Sequence, residues 1–280
     1  MTAPSLSLAD CVARIGAELR SEEFRTSSHR LAQFAAACDD CNPTHLSGQI
    51  ALPTFAHIPV MQSMVQVLQQ ATTAFVMHGE QDFLFHQPIV PGQRLFSRSR
   101  LVGVRSTKAG MLLVLRAETA THEGAAVCTQ YITCLQPGSA EPASHGEGPP
   151  EAPKAEASET SHKSFAIGPD KTRAYAEAAR DYSAYCLNAE AARAVGFEAP
   201  LVHGMLSLSL AAVALVERAA AGDSTRLRRL GCRFSHPLFS RDGETLEVAH
   251  SKDSHGRVAF AATDRNGNPV LSRGFAEVSP

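Results

Sequence analysis

The chain has 280 residues, 44% of them hydrophobic, and a formal net charge of −2, which is enough apolar material for one large core or two ordinary ones. This near-neutral balance offers no general attraction to nucleic acid or to an anionic membrane surface. No apolar run approaches the ~18 residues of a membrane span. The opening MTAPSLSLADCVARIGAEL, interrupted by Asp10, Arg14 and Glu18, does not read as a secretory leader. The seven cysteines (11, 38, 41, 128, 134, 186, 232) are odd in number and scattered, so free thiols in a reducing cytosol are expected.

In chain order, HRLAQFAAA (29–37) predicts a short helix that runs into the polar stretch CDDCNPTHLSG (38–48). FAHIPVMQSMVQVLQQA (55–71) is apolar nearly all round, which predicts a buried helix. Alternating, β-branched stretches follow in residues 82–105, 111–120 and 125–135, with a turn signal at Pro91-Gly92, and predict antiparallel strands. Composition then breaks once, over residues 136–164, where proline, glycine, alanine, serine and glutamate dominate and no large aliphatic residue occurs. Such a segment buries too little apolar surface to offset its ordering entropy, and a flexible linker is expected.

Beyond it the pattern repeats. KTRAYAEAA (171–179) matches the first helix, and ARDYSAYCLNA (179–189) looks like an eroded copy of the polar stretch. HGMLSLSLAAVALVERAAA (203–221) is a second buried helix. Strands follow in 227–251, 257–264 and 269–278, with turns at Asp242-Gly243 and Asn266-Gly267. Each half therefore reads as a long central helix wrapped by a curved antiparallel sheet, an α+β architecture. The expected division is a first unit over 1–136, a linker over 137–163 and a second unit over 164–280.

The polar stretch admits several readings. Cys38 and Cys41 have the spacing of one zinc knuckle, but a structural site needs four ligands; the sequence has no second CxxC, and His45 alone does not complete the set. A nucleophilic Cys41 has nothing beside it that signals an acyl-enzyme site. The segment also serves as an ordinary helix stop, since Asp, Asn and Pro end helices and make turns. The acid–base reading uses the Asn42-Pro43 turn to fold His45 back beside Asp40, so that the pair holds one water and trades protons with it. A buried helix starting some ten residues later offers backbone N–H groups near Ala56 and His57 for a developing oxyanion.

FAAACDDCNPTHL resembles the DxNPxH signature of MaoC-like R-specific enoyl-CoA hydratases and 3-hydroxyacyl dehydratases. The second half is similar to that family over residues 175–210, ending in PLVHGM, and LGCRFSHPLFSRDG resembles its later strand and turn. The resemblance implies a tandem, or double, hotdog, an intramolecular pseudo-dimer with homodimerisation as a further expectation. It implies reversible hydration of trans-2-enoyl thioesters, with Asp40 and His45 as the acid–base pair and Asn42 shaping their turn. No metal or redox cofactor is implied; coenzyme A or acyl carrier protein carries the acyl group.

In the second half Asp181, His203 and Gly204 match the family pattern, while Ser183, Ala184 and Cys186 replace its asparagine, proline and histidine. That half is expected to be a degenerate site or a substrate groove. Eukaryotic relatives keep the intact pair in the C-terminal unit, so this chain inverts their order. His57, His86, His203 and His236 are candidates to line the site, each with a structural alternative. Two rival functions remain at this level, a hotdog acyl-CoA thioesterase and a non-catalytic acyl-binding subunit.

Overall fold

The computed structural model describes residues 7–72, 75–138, 141–156 and 159–280. The first half runs α1 (Leu8–Val12), β1 (Glu18–Arg20), β2 (Phe24–Arg25), α2 (Ser28–Ala37), α3 (Pro43–Leu46), a 3₁₀ helix over Pro53–Val60, and α4 (Met61–Ala71). Strands β3 (Met77–Phe85), β4 (Arg94–Thr107), β5 (Gly110–Thr121), β6 (Ala126–Pro137) and β7 (Ala143–Gly146) complete it. The second half runs β8 (Thr160–Ile167), α5 (Pro169–Ala179), α6 (Ala184–Leu187), α7 (Ala189–Ala194) and α8 (Gly204–Arg218). A 3₁₀ turn over Ser224–Arg226 leads into β9 (Leu227–Phe234), β10 (Glu244–Lys252), β11 (Arg257–Asp264) and β12 (Pro269–Val278).

The chain forms two compact units. One contains the described residues up to Arg25, with Pro59–Gln87 and Arg94–Glu151. The other contains Thr26–Ile58, Pro88–Gln93 and the chain from Ala152 onward. The division in space therefore differs from the 1–136 and 164–280 boundaries expected from the composition break. Thr26–Ile58, which carries the DxNPxH motif, packs with the second half of the chain.

In the first unit the antiparallel order is β1-β4-β5-β6-β3, with β2 and β7 also along β4. Strand β4, RLFSRSRLVGVRST, alternates exposed and buried positions over its first half, as one covered face requires. Met64, Val67, Leu68 and Ala71 of α4 pack into one core with Leu101, Val104, Leu113, Leu115 and Ile132. The α-helix begins at Met61, not near residue 55 as its apolar run suggests. Pro59 lies inside the preceding 3₁₀ stretch, which is the tighter form a chain takes in short pieces.

The segment expected to be linker throughout is not. Ala143–Gly146 pairs antiparallel with β4, from Ser106↔Ala143 to Gly103↔Gly146. Strand pairing uses backbone groups alone, so a segment without large side chains can join a sheet where its neighbour lets it approach. Gly103 permits this approach, since a Cβ there would sit 2.0 Å from the carbonyl oxygen of Glu147.

In the second unit the antiparallel order is β9-β12-β11-β10-β8, and α8 packs against β9, β10 and β12. Every residue of α8 from Met205 to Val216 is buried, the signature of a helix enclosed on all sides. Helices α2 and α5 meet at one aromatic residue from each. The rings of Phe34 and Tyr175 lie 5.8 Å apart, and Phe34 also meets Phe55 edge-on at 5.3 Å.

Candidate active site

Asp40 is placed by the way α2 ends. Asp39 takes a left-handed conformation (φ 51°), and the Asp39 and Asp40 N–H groups bond back to Ala36 and Ala35 at 3.2 and 3.1 Å. These are the paired bonds of a Schellman turn, and they direct the next side chain inward. Asn42 then caps α3. Its side-chain oxygen accepts from the Thr44 N–H at 3.0 Å, and Pro43 occupies the first helical position, where its missing N–H costs nothing.

One turn of α3 brings His45 over Asp40. The carboxylate accepts the Asn42 N–H on Oδ1 at 2.9 Å, and its Oδ2 lies 2.5 Å from His45 Nδ1. Asp40 is 6% and His45 1% exposed, so this contact is shielded from bulk water. The Asn42-Pro43 turn thus folds His45 back directly beside Asp40, with Oδ2 and Nδ1 in contact at 2.5 Å. A carboxylate only accepts, so Nδ1 is the donor of this pair. Nε2 faces Ser224 Oγ at 2.8 Å, and Asn42 Nδ2 donates to the Gly222 carbonyl at 2.7 Å. Nothing in the sequence points to Gly222 or Ser224, which stand some 180 residues away from the motif in no recognisable pattern.

The eroded copy keeps the frame and loses the base. Arg180 is left-handed (φ 54°) and the Asp181 N–H bonds to Ala176 at 3.0 Å, as in the first turn. Ser183 donates its N–H and hydroxyl to Asp181 Oδ1, at 3.2 and 2.6 Å. Cys186, on the first turn of α6, occupies the place His45 holds in α3 and is 3% exposed. Burial first, then the Asp181 carboxylate, pushes its thiol well above the usual range. His203 stands just before the first residue of α8, and its Nε2 donates to the Asp181 carbonyl at 3.0 Å. Burial lowers its pKa, against the opposing pull of Asp181. Gly204 follows, where a Cβ would press on the Phe234 ring at 3.2 Å.

The other expected residues are less closely tied to the pair. Ala56 and His57 are buried, but they lie in the 3₁₀ helix rather than in the first turn of α4. Their expected role as open helix-terminal donors is corrected accordingly, because 3₁₀ N–H groups bond to carbonyls three residues back. His86 is exposed and bonded to Thr129 at 2.9 Å, and His236 is exposed. All seven cysteines are free and only Cys41 is exposed, while Cys38 is buried, so the two thiols of the CxxC lie in different environments. Iodoacetamide applied to the native protein should label Cys41 alone, as read by peptide mass spectrometry. Labelling of Cys186 at a comparable rate would contradict this placement.

Two family profiles match the chain: "FAS1-like, dehydratase domain region" over residues 13–130 and "MaoC like domain" over residues 148–266. A Dictyostelium discoideum protein named "Probable enoyl-CoA hydratase 2" is 25% identical over 242 residues, 82% of this chain and 81% of that one. The Arabidopsis thaliana protein named "Enoyl-CoA hydratase 2, peroxisomal" is 24% identical over 84% of this chain and 80% of its own length. Among solved structures, a MaoC-like dehydratase from Phytophthora capsici superposes with a TM-score of 0.82 at 19% identity, covering 98% of both chains. A Mycobacterium tuberculosis protein described as having a double hotdog fold superposes with a TM-score of 0.65 at 16% identity, over 94% of this chain and 96% of that one. The fold is the double hotdog. Among the described residues no helix is long and apolar enough to cross a membrane. A MaoC-like domain in the second half and a FAS1-like dehydratase region in the first give each half of the chain a match to a dehydratase-type family.

Proposed function

We propose that the protein reversibly adds water to trans-2-enoyl thioesters, giving 3-hydroxyacyl thioesters of R configuration. The observation that carries this reading is the buried contact between Asp40 Oδ2 and His45 Nδ1 at 2.5 Å, in a half of the chain that matches a dehydratase domain region. Relatives named enoyl-CoA hydratase 2 that match over four-fifths of the chain support it.

In this reading His45 Nε2 takes a proton from water as the oxygen bonds to the β-carbon of the enoyl group. The proton then passes to the α-carbon, so the imidazole acts as base and acid within one turnover. Asp40 holds the ring in the Nδ1–H tautomer and offsets the charge of the imidazolium. Its second oxygen is occupied by the Asn42 N–H, which fixes the carboxylate in the plane it needs. The thioester acidifies the α-proton, so the reaction needs no redox partner. The acyl carrier is coenzyme A or acyl carrier protein, and a cytosolic setting accords with seven free thiols.

The test is incubation with crotonyl-CoA and longer enoyl-CoAs while following both enoyl absorbance and free thiol. Loss of absorbance without thiol release is expected. Thiol release would favour a thioesterase, and binding without turnover a non-catalytic acyl-binding subunit; either would refute the proposal.

A further inference from the structure

We infer that Ser224 is a positioning residue for the proton chemistry of His45, an inference that rests on the hydratase reading above. The base of a hydratase must present a lone pair to water, and in this structure the group facing that lone pair is the Ser224 hydroxyl, 2.8 Å from Nε2. In the neutral ring that gives its Nδ1–H to Asp40, the hydroxyl donates to Nε2. Ser224 thereby holds the ring between two fixed partners, in the one tautomer that leaves Nε2 able to accept. When water enters, the hydroxyl passes its hydrogen bond from Nε2 to that water and keeps it aimed at the nitrogen during turnover. Only hydrogen bonds change at Ser224. The broken O–H bond belongs to water, its proton goes to Nε2, and the new C–O bond forms at the β-carbon.

The loop is built to place this hydroxyl. Beyond the end of α8 the chain passes through two consecutive left-handed residues, Ala221 (φ 54°) and Gly222 (φ 82°). A non-glycine residue held there is strained and must be maintained by its surroundings. Several bonds maintain it. The Gly222 N–H reaches back to Val216 at 2.8 Å, and the Asp223 N–H to Ala220 at 3.1 Å. Asp223 accepts from both the N–H and the hydroxyl of Thr225, at 2.9 and 2.6 Å, which starts the 3₁₀ turn on which Ser224 stands. Arg226 ties the turn to the Ser279 carbonyl at 3.0 Å.

The motif turn touches this loop twice, and the two contacts differ in kind. Asn42 Nδ2 to the Gly222 carbonyl joins backbone-fixing groups and anchors the turn. The contact of Ser224 goes to the reacting nitrogen. Removing the Ser224 hydroxyl leaves the anchor in place, so its loss should read on the chemistry rather than on the fold.

The experiment compares wild type, Ser224→Ala and His45→Ala with crotonyl-CoA, measuring melting temperature, kcat, KM, thiol release and the ring-nitrogen NMR signals of His45. For Ser224→Ala we expect kcat to fall about tenfold or more with KM within about twofold and melting nearly unchanged. The His45 signals should move from a single Nδ1–H tautomer to a mixture. Wild-type kcat and an unchanged tautomer in Ser224→Ala, alongside an inactive His45→Ala, would overturn the role of Ser224 and leave the hydratase reading standing. Wild-type turnover in His45→Ala would instead remove the reading on which it rests. Thiol release by the wild type that disappears in Ser224→Ala would make Ser224 a nucleophile and overturn the positioning role.

Discussion

Replacing His45 by alanine should lower hydration of enoyl thioesters about 10²- to 10⁴-fold, the range for a lost general acid–base group. The side chain is 1% exposed and bonded on both ring nitrogens, so the change also leaves the Oδ2 of Asp40 without its partner. A buried acceptor deprived of its donor costs about 1–3 kcal/mol. This is a fraction of a typical domain's stability, so the variant should remain folded at assay temperature. Asp40→Asn keeps the shape but replaces the charge that offsets the imidazolium, and it should lose activity in the same range. Circular dichroism and steady-state kinetics on both variants separate the chemical loss from the structural one. Near-wild-type turnover in a folded His45→Ala protein would remove the assignment.

Gly48→Ala should be among the most damaging small substitutions in the chain. Gly48 is left-handed (φ 68°), and a Cβ there would lie 2.1 Å from the backbone oxygen of Ser28. Ser28 begins α2, the helix that leads to Asp40, and Gly48 ends the turn that carries His45, its N–H bonded to the His45 carbonyl at 2.9 Å. The substitution adds left-handed strain to a backbone collision that no rotamer relieves, so a loss of about 2–5 kcal/mol is expected. Activity should fall with it, because the collision forces apart the segments that bring the pair together. Gly92→Ala is the control. It is also left-handed (φ 84°), but nothing lies within 4 Å of its Cβ, so only the strain of about 1–2 kcal/mol remains. Equal melting temperatures for the two variants would show that the close approach at Gly48 carries no weight.

Elements with strong periodicity were legible in the sequence. The stretches RVAFAATD and PVLSRGFAEV are the strands β11 and β12, and HRLAQFAAA is α2 but for one residue. The DxNPxH turn was legible for a local reason: a Schellman ending, an Asn cap and a Pro at the first helical position are all encoded within a few residues. What was not legible depends on distant parts of the chain. The 3₁₀ form of Pro53–Val60 has the same apolar pattern as the α-helix after it, and only Pro59 marks the difference. The pairing of Ala143–Gly146 with β4 rests on backbone bonds that composition does not record. Ser224 is one of many serines until the loop after α8 brings it to His45. The grouping of Thr26–Ile58 with the second half is likewise a property of the packed chain.

The most direct test of the central claim is a single turnover product analysis in water enriched with heavy oxygen. The protein is incubated with a trans-2-enoyl-CoA, and the products are separated intact and weighed by mass spectrometry. A 3-hydroxyacyl-CoA that carries the label on its β-carbon hydroxyl, with coenzyme A still attached, is the expected product. Label found in a free carboxylate, together with released coenzyme A, would contradict it.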